Sequence, residues 1–126
     1  MGKRTFYIAG PIFGMGPDRN YGEFQHTAKL AENQLMCATL IPHDIPPDMH
    51  DGPCPLGRRS EGATHNEACY LRSDIKHMLQ YCTGVVMVPG WVQSWGARKE
   101  MDVALTCGLE VYLPSLMVDG PLVRAF

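Results

Sequence analysis

No Cys-x-x-Cys pair occurs in this chain, although it carries five cysteines, Cys37, Cys54, Cys69, Cys82 and Cys107. An odd set without paired spacing gives no disulfide framework. The expectation is reduced thiols acting as small hydrophobes in a cytoplasmic protein, with Cys37, Cys82 and Cys107 lying inside apolar patterns. Long apolar runs are missing too. None approaches the roughly 20 residues of a membrane span, and the first residues pass directly into a strand pattern rather than a signal peptide. Excess positive charge is absent. A net charge of −2 provides no field for a nucleic-acid backbone, which disfavours a polymeric nucleic acid but leaves a nucleotide monomer open. The glycine-rich loop after the first strand lacks a following Gly-Lys-Ser/Thr and misses the dinucleotide-binding spacing, so neither phosphate-binding signature is present. Without a Gly-x-Ser-x-Gly elbow, Ser–His–Asp hydrolysis has little support. There are no internal repeats and no low-complexity segments.

What the sequence does contain is one domain's worth of alternating elements in 126 residues, 45% hydrophobic and 19% charged, an ordinary balance for a globular chain. Residues 3–9 read as a first strand ending at Gly10-Pro11, followed by Gly14 and Gly16. Such a loop is either a plain turn or a cradle in which backbone N–H groups approach a ligand. Tyr21, Phe24, Ala28, Ala31 and Leu35 step by three and four, which predicts a helix over 20–36 capped by Asp18 or Asn20. Residues 37–42 give a second buried strand and complete a βαβ unit, expected to be right-handed.

Residues 43–64 break every periodicity with four prolines and three glycines. A stretch of this length without periodicity in a small domain reads as a lid or as disorder. His43, Asp44, His50, Asp51, Cys54 and His65 fall in or beside it, but their spacing matches no ligand pattern, so no metal is expected. A helix over 66–81 follows, with Ala68, Leu71, Ile75, Met78 and Leu79 toward the core and Asp74 near the edge of that stripe.

The organising stretch is 83–108. It predicts a strand at 85–88, a Gly/Pro/Trp turn, and a helix with Ala97, Met101, Ala104 and Leu105 on its apolar side. Glu100 is expected in the helix's first turn, where the dipole would keep it ionised near neutral pH. It also falls beyond the carboxyl end of a strand, where open α/β sheets place their ligand crevice. Trp91 and Trp95 flank Ser94 and offer faces for a flat ring, a contact of roughly 1–3 kcal/mol; loop packing is the alternative. Residues 109–113 form a further strand, and the apolar tail either completes the sheet or covers a neighbouring subunit. The whole predicts a doubly wound parallel α/β sheet of four to five strands with helices on both faces, flavodoxin- or Rossmann-like.

Three motifs then carry a family resemblance: Tyr7-Ile8-Ala9-Gly10-Pro11, Asp74 in the middle helix, and Ser94-Trp95-Gly96-Ala97-Arg98-Lys99-Glu100. Together they resemble the nucleoside 2-deoxyribosyltransferase family, including its 2'-deoxynucleoside 5'-monophosphate N-glycosidases. The resemblance implies Glu100 as the nucleophile at C1' of a deoxyribose and Tyr7 as the phenol orienting it. It implies Asp74 as the acid beside the departing base, and Gly10, Pro11 and Ile12 with Gly96 as pocket wall. Where free-nucleoside transferases carry an Asp that binds the sugar 5'-hydroxyl, this chain has Ser94, as the monophosphate glycosidases do. Arg19, Arg58, Arg59 or Arg98 would add charge for a 5'-phosphate. The family commonly builds its pocket from two subunits, which implies a homodimer or higher homo-oligomer with Ser115 and Asp119 of the tail as contributors. No cofactor is implied. The competing expectations are a catalytically silent nucleotide-binding module and a flavodoxin-like assembly domain.

Overall fold

In a computed structural model, residues 4–46, 67–117 and 119–125 are described. They form a five-stranded sheet in the order β2-β1-β3-β4-β5. The strands are β1 (Thr5–Ala9), β2 (Ala38–Leu40), β3 (Gly84–Met87), β4 (Glu110–Leu113) and β5 (Val123–Ala125); the helices are α1 (Tyr21–Leu35), α2 (Glu67–Tyr81) and α3 (Trp95–Thr106). The first four strands run parallel, while β5 pairs antiparallel with β4 through Val111–Ala125, Tyr112–Arg124 and Leu113–Val123. The tail therefore completes the parallel sheet as a fifth strand, added antiparallel at its edge.

The period-two alternation of β1 and β3 divides the interior into two layers. Tyr7, Ala9, Val85 and Met87 pack with Met78 and Cys82 at the end of α2 and with Ala97 and Ala104 of α3. Phe6, Ile8, Val86 and Val88 point the other way, against Phe24, Ala28 and Ala31 of α1. Both strands are covered on both faces, which is why their sequences read as unbroken apolar runs.

At the carboxyl end of the sheet, β1 and β3 come unusually close. The Val88 N–H donates to the Ala9 carbonyl at 2.8 Å. A Cβ on Gly10 would stand 2.5 Å from Val88 Cβ and 3.2 Å from the Phe24 ring. Only glycine lets the chain turn there. Because the chain leaves β1 for β2 on one side and later reaches β3 on the other, this is the switch point of the sheet, where a crevice opens.

Two local expectations are corrected. Neither Asp18 nor Asn20 caps α1 in the ordinary way: Asn20 is the N-cap residue but is left-handed (φ 63°) and makes no side-chain cap bond. Its Nδ2 donates instead to the Pro11 carbonyl at 3.1 Å, tying the two ends of the glycine loop together. On α2, Leu79 is exposed, whereas Cys69, Ser73, Asp74 and Met78 are buried. The helix is turned so that a polar group faces the end of β1. Cys37, Cys69 and Cys82 are buried, while Cys107 is exposed at the end of α3. Beyond the short 3-10 turn at Pro42–Asp44, most of the irregular segment, with His50, Asp51, Cys54, Arg58, Arg59 and His65, lies outside the described residues.

Candidate functional site

Three polar side chains from three elements meet in the crevice. Tyr7 projects from β1 on the α2–α3 side and is fully buried. Its hydroxyl donates to Glu100 Oε2 in a short hydrogen bond. Glu100, 4% exposed, shares the buried side of α3 with Ala97 and Ala104. Asp74, 6% exposed, arrives from α2, and its Oδ1 is buried without a hydrogen-bond partner among the described residues.

Glu100 is the sixth residue of α3, since the helix begins at Trp95 behind the Ser94 cap. The expected first-turn position is thus overturned, and with it the dipole as the reason for an ionised group, because the dipole fades within one turn. Burial dominates. It raises the Glu100 pKa well above the ordinary carboxylate value, with the Tyr7 hydrogen bond pulling down and the Asp74 charge pushing up. Burial also raises Asp74 to about 7, against lowering by the Arg19 charge and the Tyr7 hydroxyl. Tyr7 itself is held well above the usual phenol value by burial and by the two neighbouring carboxyls, so it remains a donor. Burial of both carboxyls and the charge of Asp74 beside Glu100 favour a protonated carboxyl in this pair.

Asp74 and Glu100 line a recess of about 20 Å³, whose wall also includes Gly10, Ile12, Phe13, Leu71, Ser94, Gly96 and Ala97; Tyr7 lies behind it and supports Glu100. The recess has room for about one water. Phe13 and Ser94 also border a larger groove of about 460 Å³ lined by Pro11, Asn20, Glu23, Gly90, Gln93 and Trp95 among others. Of the sequence-selected residues, Tyr7, Asp74, Glu100, Gly10, Ile12, Ser94 and Gly96 therefore converge on the recess or its immediate support. Pro11 lines the outer groove.

Trp91 does not join them. It packs, partly buried, against the α2–α3 core layer. Trp95, half-exposed, borders the outer groove instead. Arg19 lies outside both linings, with its guanidinium 5.3 Å from the centre of the Tyr70 ring. No lysine or arginine is among the described residues lining either space. In the tail, Asp119 pairs with His26 at 2.5 Å and the Ser115 hydroxyl accepts from Met117 N.

Ser94 caps α3 by accepting from the Ala97 N–H at 3.2 Å. That bond uses a lone pair of the oxygen, so the hydroxyl proton stays free to donate toward the recess. Sequence reasoning passed over Phe13, an aromatic within a glycine loop. It also passed over Leu71, which periodicity assigned to the core and which instead walls the recess.

No curated protein and no solved structure matches the chain. Residues 4–113, from the start of β1 to the end of β4, match a family described as a domain of unknown function, and the chain belongs to that family, DUF4406.

Proposed function

We propose that this chain cleaves the N-glycosidic bond of a 2'-deoxyribonucleoside, or preferably its 5'-monophosphate, through a covalent glycosyl ester on Glu100. The observation that carries this reading is the buried bond from Tyr7 to Glu100 beside Asp74, whose Oδ1 has no partner among the described residues, in a recess at the switch point of the sheet. The reading draws also on the motif resemblance to the nucleoside 2-deoxyribosyltransferases.

The chemistry follows from the electrostatics. The Tyr7 hydroxyl donates to Glu100 and favours its negative charge, so in this mechanism Glu100 is the carboxylate and Asp74 carries the proton. A Glu100 oxygen bonds to C1' as the C1'–N bond breaks, and the departing nitrogen takes the Asp74 proton. Asp74, now a carboxylate, then accepts a proton from the incoming water, whose oxygen displaces Glu100 from C1'. Two inversions give net retention. An incoming base in place of water would give transfer rather than hydrolysis.

The monophosphate preference rests on Ser94. Its free hydroxyl proton and the N-terminal N–H groups of α3 offer donors to an anion, and a Ser brings no charge to repel one. The recess is smaller than a sugar ring, so substrate enters from the outer groove with movement of its exposed wall, where Phe13 stands.

The test is intact-protein mass spectrometry after brief exposure to a panel of deoxynucleosides and dNMPs, with free base measured in parallel. The expected result is an adduct with the mass of deoxyribose or its phosphate, absent in Glu100→Gln. Neither adduct nor free base across the panel would overturn the proposal. Ligand binding that survives Glu100→Ala without turnover would support a silent binding module instead.

A further inference from the structure

His43 has no part in the chemistry above, yet it is built into the loop beside it. Its Nε2 lies 2.8 Å from the carbonyl oxygen of Arg19, 24 residues away in sequence. A carbonyl can only accept, so Nε2 carries the proton. The ring packs edge-on to Phe24 at 4.6 Å and tilted against Tyr21 at 5.3 Å. Nδ1 is buried with no partner among the described residues.

The carbonyl it holds belongs to an unusual backbone. Arg19 and Asn20 are consecutive left-handed residues, with φ of 56° and 63°, a conformation that side chains larger than glycine rarely adopt. Local bonds hold the N-terminal side of this turn, with Arg19 N donating to the Gly16 carbonyl at 3.1 Å and Asn20 N to Asp18 Oδ1 at 3.3 Å. The His43 bond anchors the turn from a distant element. The outcome is the course of the Arg19 side chain, which lies across the Tyr70 ring. Tyr70 is one helical turn before Asp74 on α2, so the two side chains share a face.

We propose that His43 is a positioning residue: the bond from its Nε2–H to the Arg19 carbonyl fixes the left-handed turn and so directs the guanidinium across Tyr70 toward Asp74. The neutral state of His43 is part of the device. Burial lowers its pKa, with Arg19 lowering it further, while the hydrogen bond to Arg19 and the Asp44 and Asp18 charges act oppositely. A second ring proton would leave a buried donor on Nδ1 without an acceptor among the described residues. At the other end, the groups facing Asp74 are Arg19 from the loop, Tyr7 from β1 and Glu100 from α3. Loss of the Arg19 charge from that set moves the Asp74 titration upward.

The role of Asp74 as acid rests on the preceding proposal, but the positioning does not, and its test needs no turnover. Carbon-13 NMR of the Asp74 carboxyl across pH would be compared in wild type, His43→Phe, His43→Gln and Arg19→Gln. His43→Phe keeps the aromatic packing and removes the donor; Gln restores a donor at similar reach. The expected result is an Asp74 midpoint raised by about one unit in both His43→Phe and Arg19→Gln, with His43→Gln remaining at the wild-type value. An unchanged midpoint in folded His43→Phe, or equal shifts for Phe and Gln, would overturn the proposal. Nitrogen-15 shifts of the wild-type imidazole give a second reading that no substitution can confuse. They should report the neutral Nε2–H form at pH 7, and the Nδ1–H form would overturn it.

Discussion

Tyr7 and Glu100 stand 93 residues apart in the chain and share a buried hydrogen bond, with the phenol donating. The bond joins the first strand to the last helix at the depth where both are almost out of water. It also counteracts the burial that favours a neutral Glu100. A hydrogen bond to a charged group contributes about 1.5–3 kcal/mol, so Tyr7→Phe should lower kcat for free-base release by roughly 10- to 150-fold. The ring is retained, so far-UV circular dichroism should be unchanged. Wild-type turnover in this variant would remove Tyr7 from the mechanism.

The two raised carboxyls make a statement about stability as well. A carboxyl whose folded pKa exceeds its unfolded value binds its proton more tightly in the fold. Stability is then greatest below the unfolded pKa and declines as pH rises through the folded one. For Asp74 the window runs from the ordinary aspartate range up to about 7, and the loss across it is at most about 4 kcal/mol. Asp74→Asn should match wild type in urea denaturation near pH 4 and exceed it near pH 8. A pH-independent difference between the two would show that Asp74 is not held protonated by burial. Since Glu100 is coupled to it, the measured midpoint belongs to the pair.

The layering of the fold was legible because β1 and β3 alternate faces while remaining apolar throughout, and because Phe24, Ala28 and Ala31 repeat at helical spacing. That Glu100 sits in the helix following β3 was legible; that it is the sixth residue of α3, past the first turn, was not. Nor was its protonation, because ionisation is set by three elements closing over it, and the sequence shows only one of them. Asp74 lay near the border of an apolar stripe, and hydropathy alone favours Leu79 as the buried residue. The rotation of α2 is decided by what faces it, namely the phenol and carboxyl at the end of β1 and in α3. The two tryptophans were indistinguishable in sequence; Trp91, in the turn before α3, packs partly buried against the core layer, while Trp95, the first residue of α3, borders the groove.

Two glycines separate the needs of the fold from those of the site. A Cβ on Gly84 would meet the Phe6 ring at 2.3 Å and the Glu110 carbonyl at 2.9 Å, in the sheet and away from the recess. A Cβ on Gly10 would meet Val88 at 2.5 Å and push the recess wall. Each alanine substitution overpacks the interior and should cost about 1–3 kcal/mol, read as a lowered melting temperature. Gly10→Ala should also lose free-base release under conditions where it remains folded, whereas Gly84→Ala should retain it. Equal activity of the two folded variants would mean that the loop after β1 does not shape the site.

Ser94 permits the sharpest test of substrate class, because its two duties can be separated. As the cap of α3 it accepts from Ala97 N, and removing it as Ser94→Ala should cost about 1 kcal/mol of stability. As a neutral donor at the recess it should favour a 5'-phosphate. Ser94→Asp keeps a good cap and places a carboxylate where the phosphate would come. That anion repels a monophosphate and can accept from the 5'-hydroxyl of a free nucleoside. The ratio of kcat/KM for a dNMP over its nucleoside should therefore fall by roughly tenfold or more, the equivalent of about 1.4 kcal/mol, while the melting temperature remains near wild type. Ser94→Ala should show the reverse split, with lower stability and a smaller change in the ratio. A ratio indifferent to the new charge would mean that no phosphate passes near Ser94, and the substrate would then have to be the free nucleoside or something outside this class.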